Sequence, residues 1–410
     1  NKMSGISYFD NAAGSAINNI SERNVYHGIQ ITNYAKPLLE RNICNNNKMS
    51  GIGYFNMTTG KAAKNECRQN LSHGIQVTDQ SKPILEENKI IDNKKSGITF
   101  YKTSEGVALK NISQKNVYDG IQITANSNPK IEQNICTENL YHGIEVKDNA
   151  QPTLKQNVCN DNTLDGIVYF ESSGGYATNN ECKRNAYHGM QVTDKSKPNL
   201  QQNICESNQM NGIAYFGNGS GMAIGNRSEK NLYAGIQVTD NSIPTLEENI
   251  CRENTYHGIE LKKQSRTAVR KNICNDNLMD GIAYFDNASG ESVNNECKRN
   301  FYHGIQITDN AKPNLTQNIC NENKKNGITY FGTSGGNAFK NECCQNSAHG
   351  IQITDNAKPV LEQNTCNNNN SGITYFGNSG GKAIKNTCRN NLYHAIKAND
   401  KAKPVLKRNN

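Results

Sequence analysis

The chain has 410 residues, a formal net charge of +8, only 34% hydrophobic residues and no Trp. A chain of this length normally forms more than one domain, and this composition argues against an ordinary globular core. The charge is spread widely and gives only weak support for an anionic partner. No apolar run approaches the length of a membrane span.

A glycine, followed in nearly every case by Ile, recurs every 23 residues with one step of 22. The residues after it alternate and include many β-branched types, which predicts a short strand. A period this short leaves no room for a helix-turn-helix unit, so we expect an all-β parallel β-helix solenoid of about 18 coils. The repeat glycines are Gly5, Gly28, Gly51, Gly74, Gly97, Gly120, Gly143, Gly166, Gly189, Gly212, Gly235, Gly258, Gly281, Gly304, Gly327, Gly350 and Gly372, and Ala395 takes the last place.

Two columns of Asn accompany the repeat, nine and four residues before each glycine, as at Asn42 and Asn47. Parallel strands in register repeat identical residues about every 4.8 Å, and amide side chains at that spacing can hydrogen-bond along the stack. Asn also tolerates the left-handed backbone of a tight turn. We therefore expect two Asn ladders that form corners; an Asn-lined ligand groove is the alternative.

The coils are of two types that alternate. Tyr-type coils have an aromatic residue three positions after the glycine and a small residue eleven after it, as with Tyr54 and Ala62, whereas His-type coils reverse the sizes, as with Val77 and Leu85. Since large faces small, both positions should point into a close-packed interior.

The alternation slips twice, between Gly120 and Gly143 and between Gly235 and Gly258. The two slips lie 115 residues apart, which indicates an internal duplication of about residues 51–165 and 166–280. We expect a single β-helix domain over residues 1–410. Both ends fall within a repeat, so we expect the chain to be an excerpt of a longer protein.

Thirteen of the fourteen cysteines share one position, normally seven before the glycine, where Cys should behave as a compact buried hydrophobe. No Cys or His spacing suggests zinc. Free buried thiols mildly favour the cytoplasm, but an extracellular location stays open. Cys344 lies outside this column and is expected to face outward and to be reactive.

All eight histidines directly precede the repeat glycine or Ala395. Successive His coils are two levels apart, so their imidazoles should be about 10 Å from one another, too far to share a metal ion. An enzyme site needs one converging set of residues rather than eight equal ones. We expect hydrogen-bonded corner groups, with a pH-sensitive or ligand-contacting surface as the alternative, and predict no catalytic residue, metal ligand or cofactor.

Gln or a small residue lies two positions after the glycine, and Phe or Thr lies four after it, on the predicted outer face. Such a face could stack on sugars or on a protein partner, or it could be cross-strand packing that protects the sheet. The candidate binding face comprises Gln191, Thr193, Phe216, Gln237, Thr239, Phe285, Gln306, Thr308, Phe331, Gln352 and Thr354.

One coil departs from the pattern because it lacks the proline that other His-type coils carry nine residues after the glycine. Its cations could form a local anion-binding patch, since irregular positions in a regular scaffold often carry function; a drifted repeat is the alternative. The candidate anion patch comprises Lys262, Lys263, Arg266, Arg270 and Lys271.

The two Asn columns and the 23-residue coils resemble right-handed parallel β-helix proteins, more narrowly the NosD-like and CASH-type repeats of carbohydrate-binding proteins and sugar hydrolases. The resemblance covers the whole chain and implies the fold. Enzymes of this class (pectate lyases, polygalacturonases and alginate epimerases) add clustered Asp with Arg or Lys on one face. The sequence reveals no such cluster, so the resemblance does not imply an activity.

The leading hypothesis is therefore a non-catalytic repeat scaffold that presents the candidate binding face to a protein or a glycan. Flanking domains or caps are expected at both ends, because bare strand edges invite pairing. The alternative is a polysaccharide lyase, hydrolase or epimerase of the pectate-lyase-like class. A third hypothesis is an anion or nucleic-acid site at the candidate anion patch. It has the least support of the three, and we do not expect nucleic acid to be the partner of this chain.

Overall fold

A computed structural model describes all 410 residues and contains short β-strands, turns and bends without any helix. Every strand pairing is parallel, as between Ile75–Val77 and Ile98–Phe100, which confirms the predicted all-β parallel solenoid. No helix long and apolar enough to cross a membrane is present. The chain divides into unit 1, Asn1–Gln209, and unit 2, Met210–Asn410, and each is described by itself.

Unit 1 contains three sets of stacked strands. The GI sheet consists of the strands at the repeat glycines, and a second sheet and a cysteine sheet follow in each coil. The GI sheet contains Ile6–Tyr8, Ile29–Ile31, Ile52–Tyr54, Ile75–Val77, Ile98–Phe100, Ile121–Ile123, Ile144–Val146, Ile167–Tyr169 and Met190–Val192. The second sheet contains Ser15–Ile17, Leu38–Glu40, Lys61–Ala63, Ile84–Glu86, Val107–Leu109, Lys130–Glu132, Thr153–Lys155, Tyr176–Thr178 and Asn199–Gln201. The cysteine sheet contains Ile43–Asn45, Glu66–Arg68, Lys89–Ile91, Ile112–Gln114, Ile135–Thr137, Glu181–Lys183 and Ile204–Glu206.

Unit 2 has the same three sets. Its GI sheet contains Ile213–Tyr215, Ile236–Val238, Ile259–Leu261, Ile282–Tyr284, Ile305–Ile307, Ile328–Tyr330, His349–Ile353, Ser371–Tyr375 and His394–Ala398. Its second sheet contains Met222–Ile224, Thr245–Glu247, Arg266–Arg270, Ser289–Val293, Asn314–Thr316, Asn337–Phe339, Val360–Glu362, Lys382–Ile384 and Val405–Lys407, and its cysteine sheet contains Arg227–Glu229 and Ile250–Arg252.

The interior follows the predicted exchange of large and small residues. Tyr54 stacks on Val77 in the GI sheet and Ala62 stacks on Leu85 in the second sheet, and all four side chains are fully buried. The bulky residue therefore changes sheet from one coil to the next, which keeps the interior filled at close-packed density.

Both Asn ladders form as predicted. Asn88 Nδ2, for example, donates to Asn111 Oδ1 at 2.8 Å and to the Ala62 carbonyl oxygen at 2.9 Å. The expectation that the ladder Asn itself takes the left-handed backbone conformation was wrong. The residue before it does so: Glu87 has φ of 53° and Asp92 has φ of 57°. The ladder Asn satisfies the polar backbone groups of the corner that its neighbour turns.

The cysteines are free, and all but Cys344 are buried, as predicted. Cys44 and Cys67 occupy paired positions of adjacent coils in unit 1. Cys344 is half-buried rather than fully outward, and its Sγ lies 3.9 Å from the Thr365 carbonyl oxygen. Burial raises the pKa of the Cys344 thiol, which disfavours the reactive thiolate.

Candidate functional site

The candidate binding face lies on the outer side of the GI sheet in each unit, where its Gln and Phe side chains are half-buried. The phenyl rings of Tyr-type coils cover the histidine of the preceding coil, with ring centroids 5.1 Å apart for His27 and Phe55. Small residues make room for this packing: a Cβ added to Gly53 would lie 2.5 Å from the Phe55 ring. The aromatic column is therefore sunk into the face, and its role in binding stays a prediction.

The histidines act as corner groups where this packing is complete. His27 Nδ1 accepts the backbone N–H of Ser50 at 3.2 Å, and His303 Nδ1 accepts that of Asn326 at 3.2 Å. Burial lowers the pKa of His27 to about 4, so the imidazole is neutral at neutral pH. This arrangement supports the interpretation of the histidines as hydrogen-bonded corner residues.

One coil of unit 1 has no phenyl ring packed on its histidine. Tyr101 takes the place of Phe there, and its ring does not pair with His73 as Phe55 pairs with His27. Tyr101 is 39% exposed, and Lys102 Nζ lies 5.3 Å from its ring centroid. A Tyr hydroxyl favours the solvent, whereas a phenyl ring can be sunk against an imidazole.

The result is a cavity over the GI sheet, named here the His73 hollow. Burial, with a contribution from the Lys95 ammonium, lowers the pKa of His73 to about 4, so this imidazole too is neutral at neutral pH. The hollow has a main part of about 340 Å³, lined by His73, Gln76, Thr99, Tyr101, Gln122, Thr124, Lys147 and Asp148. It adjoins a second part of about 260 Å³, lined by His73, Lys95, Ser96, Tyr118 and Gln122.

A group of ionisable residues, named here the unit 1 cluster, lies beside this hollow at the first slip of the repeat. It consists of Asp119, His142, Glu145, Lys147 and Asp165. Glu145 Oε1 lies 2.7 Å from Lys147 Nζ, and His142 Nδ1 lies 3.2 Å from Asp165 Oδ2. Asp119, His142, Glu145 and Asp165 are buried, whereas the Lys147 side chain is 30% exposed.

Mutual proximity shifts the protonation of the cluster. Burial, together with the nearby Glu145 carboxylate, raises the pKa of Asp119 to about 7. Burial alone would lower the pKa of His142, but its hydrogen bond to Asp165 and the surrounding carboxylates raise it above the ordinary value. His142 is thereby distinguished from His27 and His73, whose pKa values fall.

Unit 2 contains an equivalent group, the unit 2 cluster, 115 residues further along. His257 Nδ1 lies 3.2 Å from Asp280 Oδ2, and Glu260 Oε1 lies 2.5 Å from Lys262 Nζ. The difference lies at one position, where Ala234 replaces the residue equivalent to Asp119.

Exposed tyrosines flank each cluster. Tyr118 and Tyr141 in unit 1 stack with centroids 5.0 Å apart and planes 20° apart, and Tyr233 and Tyr256 in unit 2 stack at 5.1 Å and 7°. These pairs arise because each slip places two His-type coils next to each other, so that their tyrosines occupy consecutive levels.

The candidate anion patch of unit 2 is largely neutralised. Four of its cations lie within 3.1 Å of a carboxylate oxygen, while Arg266 is exposed and has no acidic partner. The partners are Glu260 for Lys262, Asp240 for Lys263, Glu291 for Arg270, and Glu247 and Glu248 for Lys271. Binding of an anion there stays a prediction with little free charge to support it.

Sequence reasoning missed both clusters. It used the two slips only to trace the duplication, and it found no group of Asp with Lys on one face. The sequence does contain a signal for these clusters, because the acidic and basic residues that replace the usual residues of the repeat all lie in the coils of the two slips. Asp119 precedes Glu145 by one coil plus three residues, which places both on the outer face at adjacent levels.

The stacked parallel coils define a β-solenoid protein. The family model for the right handed beta helix region matches residues 1–128, 102–231, 216–344 and 330–410. The chain therefore belongs to the right-handed β-helix family, which confirms the predicted handedness and the resemblance. Comparison with curated protein sequences finds no match.

Several solved structures are similar to the chain at 12% identity. A periplasmic alginate epimerase, AlgG, has a TM-score of 0.37 over 92% of this chain and 77% of its own. The A-module of the Azotobacter vinelandii mannuronan C-5 epimerase AlgE6 has a TM-score of 0.38 over 85% and 90%. The catalytic domain of an α-1,3-glucanase has a TM-score of 0.20 over 89% and 65%. Similarity at this level transfers no activity to this chain.

Proposed function

We propose that the chain is a non-catalytic β-helix binding module and that its unit 1 binds a glycan in the His73 hollow. The single observation behind the proposal is the replacement of Phe by Tyr101, which leaves a hollow beside His73 where other coils have a packed phenyl ring. Elsewhere, as at Phe55 over His27, the same position is filled.

The groups around the hollow are those that recognise sugars. Gln76, Gln122 and Thr99 offer amide and hydroxyl groups that both donate and accept hydrogen bonds. Tyr101 and Tyr118 offer partly exposed rings with apolar faces for the C–H faces of a sugar. The volume lies within the range of about 300–1,000 Å³ usual for ligand sites.

Charge balance around the hollow favours a neutral glycan. The Lys147 ammonium is held by Glu145 at 2.7 Å, and the His73 imidazole is neutral, since burial lowers its pKa to about 4. A protein partner would be favoured by a larger apolar surface, whereas the lining of the hollow is mostly polar.

The test exchanges Tyr101 for the residue that the other coils carry. Tyr101→Phe should place a phenyl ring over His73, close the hollow and reduce affinity at least about tenfold, since bound sugar would lose both volume and a stacking ring. Binding is measured by calorimetry against oligosaccharides of glucose, mannose, N-acetylglucosamine and uronic acids.

The matched control is Phe331→Tyr in unit 2, which makes the reverse exchange away from the hollow and should leave affinity unchanged. Binding by Tyr101→Phe within twofold of the unaltered chain, or no binding to any oligosaccharide of the panel, contradicts the proposal.

A second candidate is a polysaccharide-active enzyme, and one observation favours it: acidic, basic and imidazole groups converge in the unit 1 cluster beside the hollow. The test is incubation with uronic-acid polymers and neutral glucans, followed by product analysis. Cleavage or epimerisation that is lost in His142→Asn would establish the enzyme and contradict a non-catalytic module.

A further inference from the structure

We propose that Asp119, His142 and Glu145 form a binding site for a divalent transition-metal ion in unit 1. One ligand atom from each residue lies within 4.8 Å of the other two, and all three residues are buried. This proposal does not depend on glycan binding, because it concerns side chains beside the hollow rather than its lining.

The slip of the repeat creates the juxtaposition. Asp119 and His142 occupy the same position in adjacent coils, immediately before the repeat glycine, and Ile121–Ile123 pairs in register with Ile144–Val146. Glu145 is the outward residue of the latter strand. In the regular alternation a Tyr-type coil would separate two His-type coils, and these three donors would not meet.

His142 is oriented as a metal ligand would be. Its Nδ1 accepts the backbone N–H of Asp165 at 3.2 Å and lies 3.2 Å from Asp165 Oδ2. The imidazole is more than nine-tenths buried. In unit 2 the equivalent His257 Nε2 points toward Glu260, 4.0 Å from Oε1. Metal-binding histidines commonly bond a carboxylate through the nitrogen that does not bind the metal.

Two hydrogen-bond donors contact these carboxylates. Gln122 Nε2 lies 2.9 Å from Glu145 Oε1 and 3.4 Å from Asp119 Oδ2, so one amide nitrogen bridges both carboxylates. Lys147 Nζ lies 2.7 Å from Glu145 Oε1 on a partly exposed side chain that can swing into solvent. A cation would replace these contacts with stronger ones to the same oxygens.

The donor set selects the class of ion. One imidazole nitrogen and two carboxylate oxygens suit Zn²⁺, Co²⁺ or Mn²⁺, whereas Ca²⁺ takes six to eight oxygen ligands. Three protein ligands leave a coordination position open. Gln122 and Lys147 also line the His73 hollow, so that open position would be next to whatever the hollow holds.

Unit 2 supplies a natural comparison. The unit 2 cluster retains the His257–Asp280 and Glu260–Lys262 pairs but has Ala234 in place of an acidic ligand. It therefore offers two of the three donors and should not retain a transition-metal ion at concentrations that fill the site in unit 1.

The experiment counts bound ions by equilibrium dialysis of the full chain against Zn²⁺ and, separately, Co²⁺. The unaltered chain should retain one ion, Asp119→Ala should retain none, and Ala234→Asp should retain two. The two substitutions exchange residues that already occupy equivalent buried positions, so both variants are expected to fold, and circular dichroism checks that they do.

Two controls separate the site from other donors. Cys344→Ser removes the one half-buried thiol and should leave the counts unchanged. Asp119→Asn retains hydrogen-bonding capacity but not the carboxylate, and should behave as Asp119→Ala does. A count for Asp119→Ala equal to that of the unaltered chain, or no additional ion in folded Ala234→Asp, overturns the proposal.

Discussion

Replacing Asn111 by Ala tests whether the Asn ladders stabilise the stack of coils. Its Oδ1 accepts hydrogen bonds from the side chain and backbone of Asn88, at 2.8 and 3.0 Å. Its Nδ2 donates to the Leu85 carbonyl oxygen and to Asn134 Oδ1, both at 2.9 Å. Asn111 is fully buried, so water cannot replace these partners.

The expected loss of stability follows from this geometry. Ala leaves the backbone N–H of Asn88 buried without its acceptor, which costs about 1–3 kcal/mol, and the other three bonds contribute about 0.5–1.5 kcal/mol each. We therefore expect the free energy of unfolding to fall by about 2.5–7.5 kcal/mol. The control is Asn337→Ala, which removes one exposed bond to Asn314 and should cost less than about 0.5 kcal/mol.

Urea denaturation measures the overall loss, and native-state hydrogen exchange at the Asn88 amide measures local opening, which remains defined if the repeats do not unfold together. A loss below about 1 kcal/mol in both measurements, or equal losses for Asn111→Ala and Asn337→Ala, would show that the ladders do not stabilise the stack.

Three further predictions concern single residues. Burial lowers the pKa of His27 from an ordinary value of 6.5 to about 4. The neutral His27 imidazole therefore contributes about 3 kcal/mol to the stability of the folded chain above pH 6.5, and this contribution is lost as the pH falls to about 4. His27→Ala should therefore show a smaller drop in stability between pH 7 and pH 4, and an equal drop refutes the assignment. Gly51→Ala should lose about 1–3 kcal/mol in urea denaturation, because the new Cβ would lie 2.8 Å from the Gly74 carbonyl oxygen and 2.9 Å from Cys67 Cβ. A thiol reagent should modify only Cys344 in the native chain, and slowly, because burial raises its pKa; rapid modification of several thiols would contradict a buried cysteine column.

The fold was predictable because each structural role is repeated in the sequence. One coil has the large Tyr54 with the small Ala62, and the next has Val77 with the larger Leu85, which indicates that both positions fill the same interior. The Asn columns indicated the register between coils. The left-handed residue of each corner could not be read in the same way. Residues such as Glu87 and Asp92 vary from coil to coil, because that position needs only a backbone conformation, and the bonds are supplied by the Asn that follows.

The candidate sites were harder to predict because they are departures from the columns. Tyr101 differs from the Phe of other coils by one hydroxyl group, yet its ring does not pair with His73 as Phe55 pairs with His27, and no repeat pattern gives the placement of a single ring. Asp119 and Glu145 meet only because two coils of the same type are adjacent. In a solenoid the neighbours in space are one period apart in sequence, so no local motif marks such a site.

The duplication distinguishes the cluster residues that both units share from Asp119, which only unit 1 has. The His–Asp and Glu–Lys pairs recur in both units with nearly equal distances, 3.2 Å in each unit for the first and 2.7 and 2.5 Å for the second. In each unit the Glu carboxylate lies against its Lys ammonium, so that pair balances its own charge. Asp119 shares His142 as a neighbour, and its Oδ1 accepts the His142 backbone N–H at 3.2 Å. Ala234 shows that the fold does not need a carboxylate at this position. A buried carboxylate that the fold does not require is the group through which unit 1 would acquire a property that unit 2 lacks.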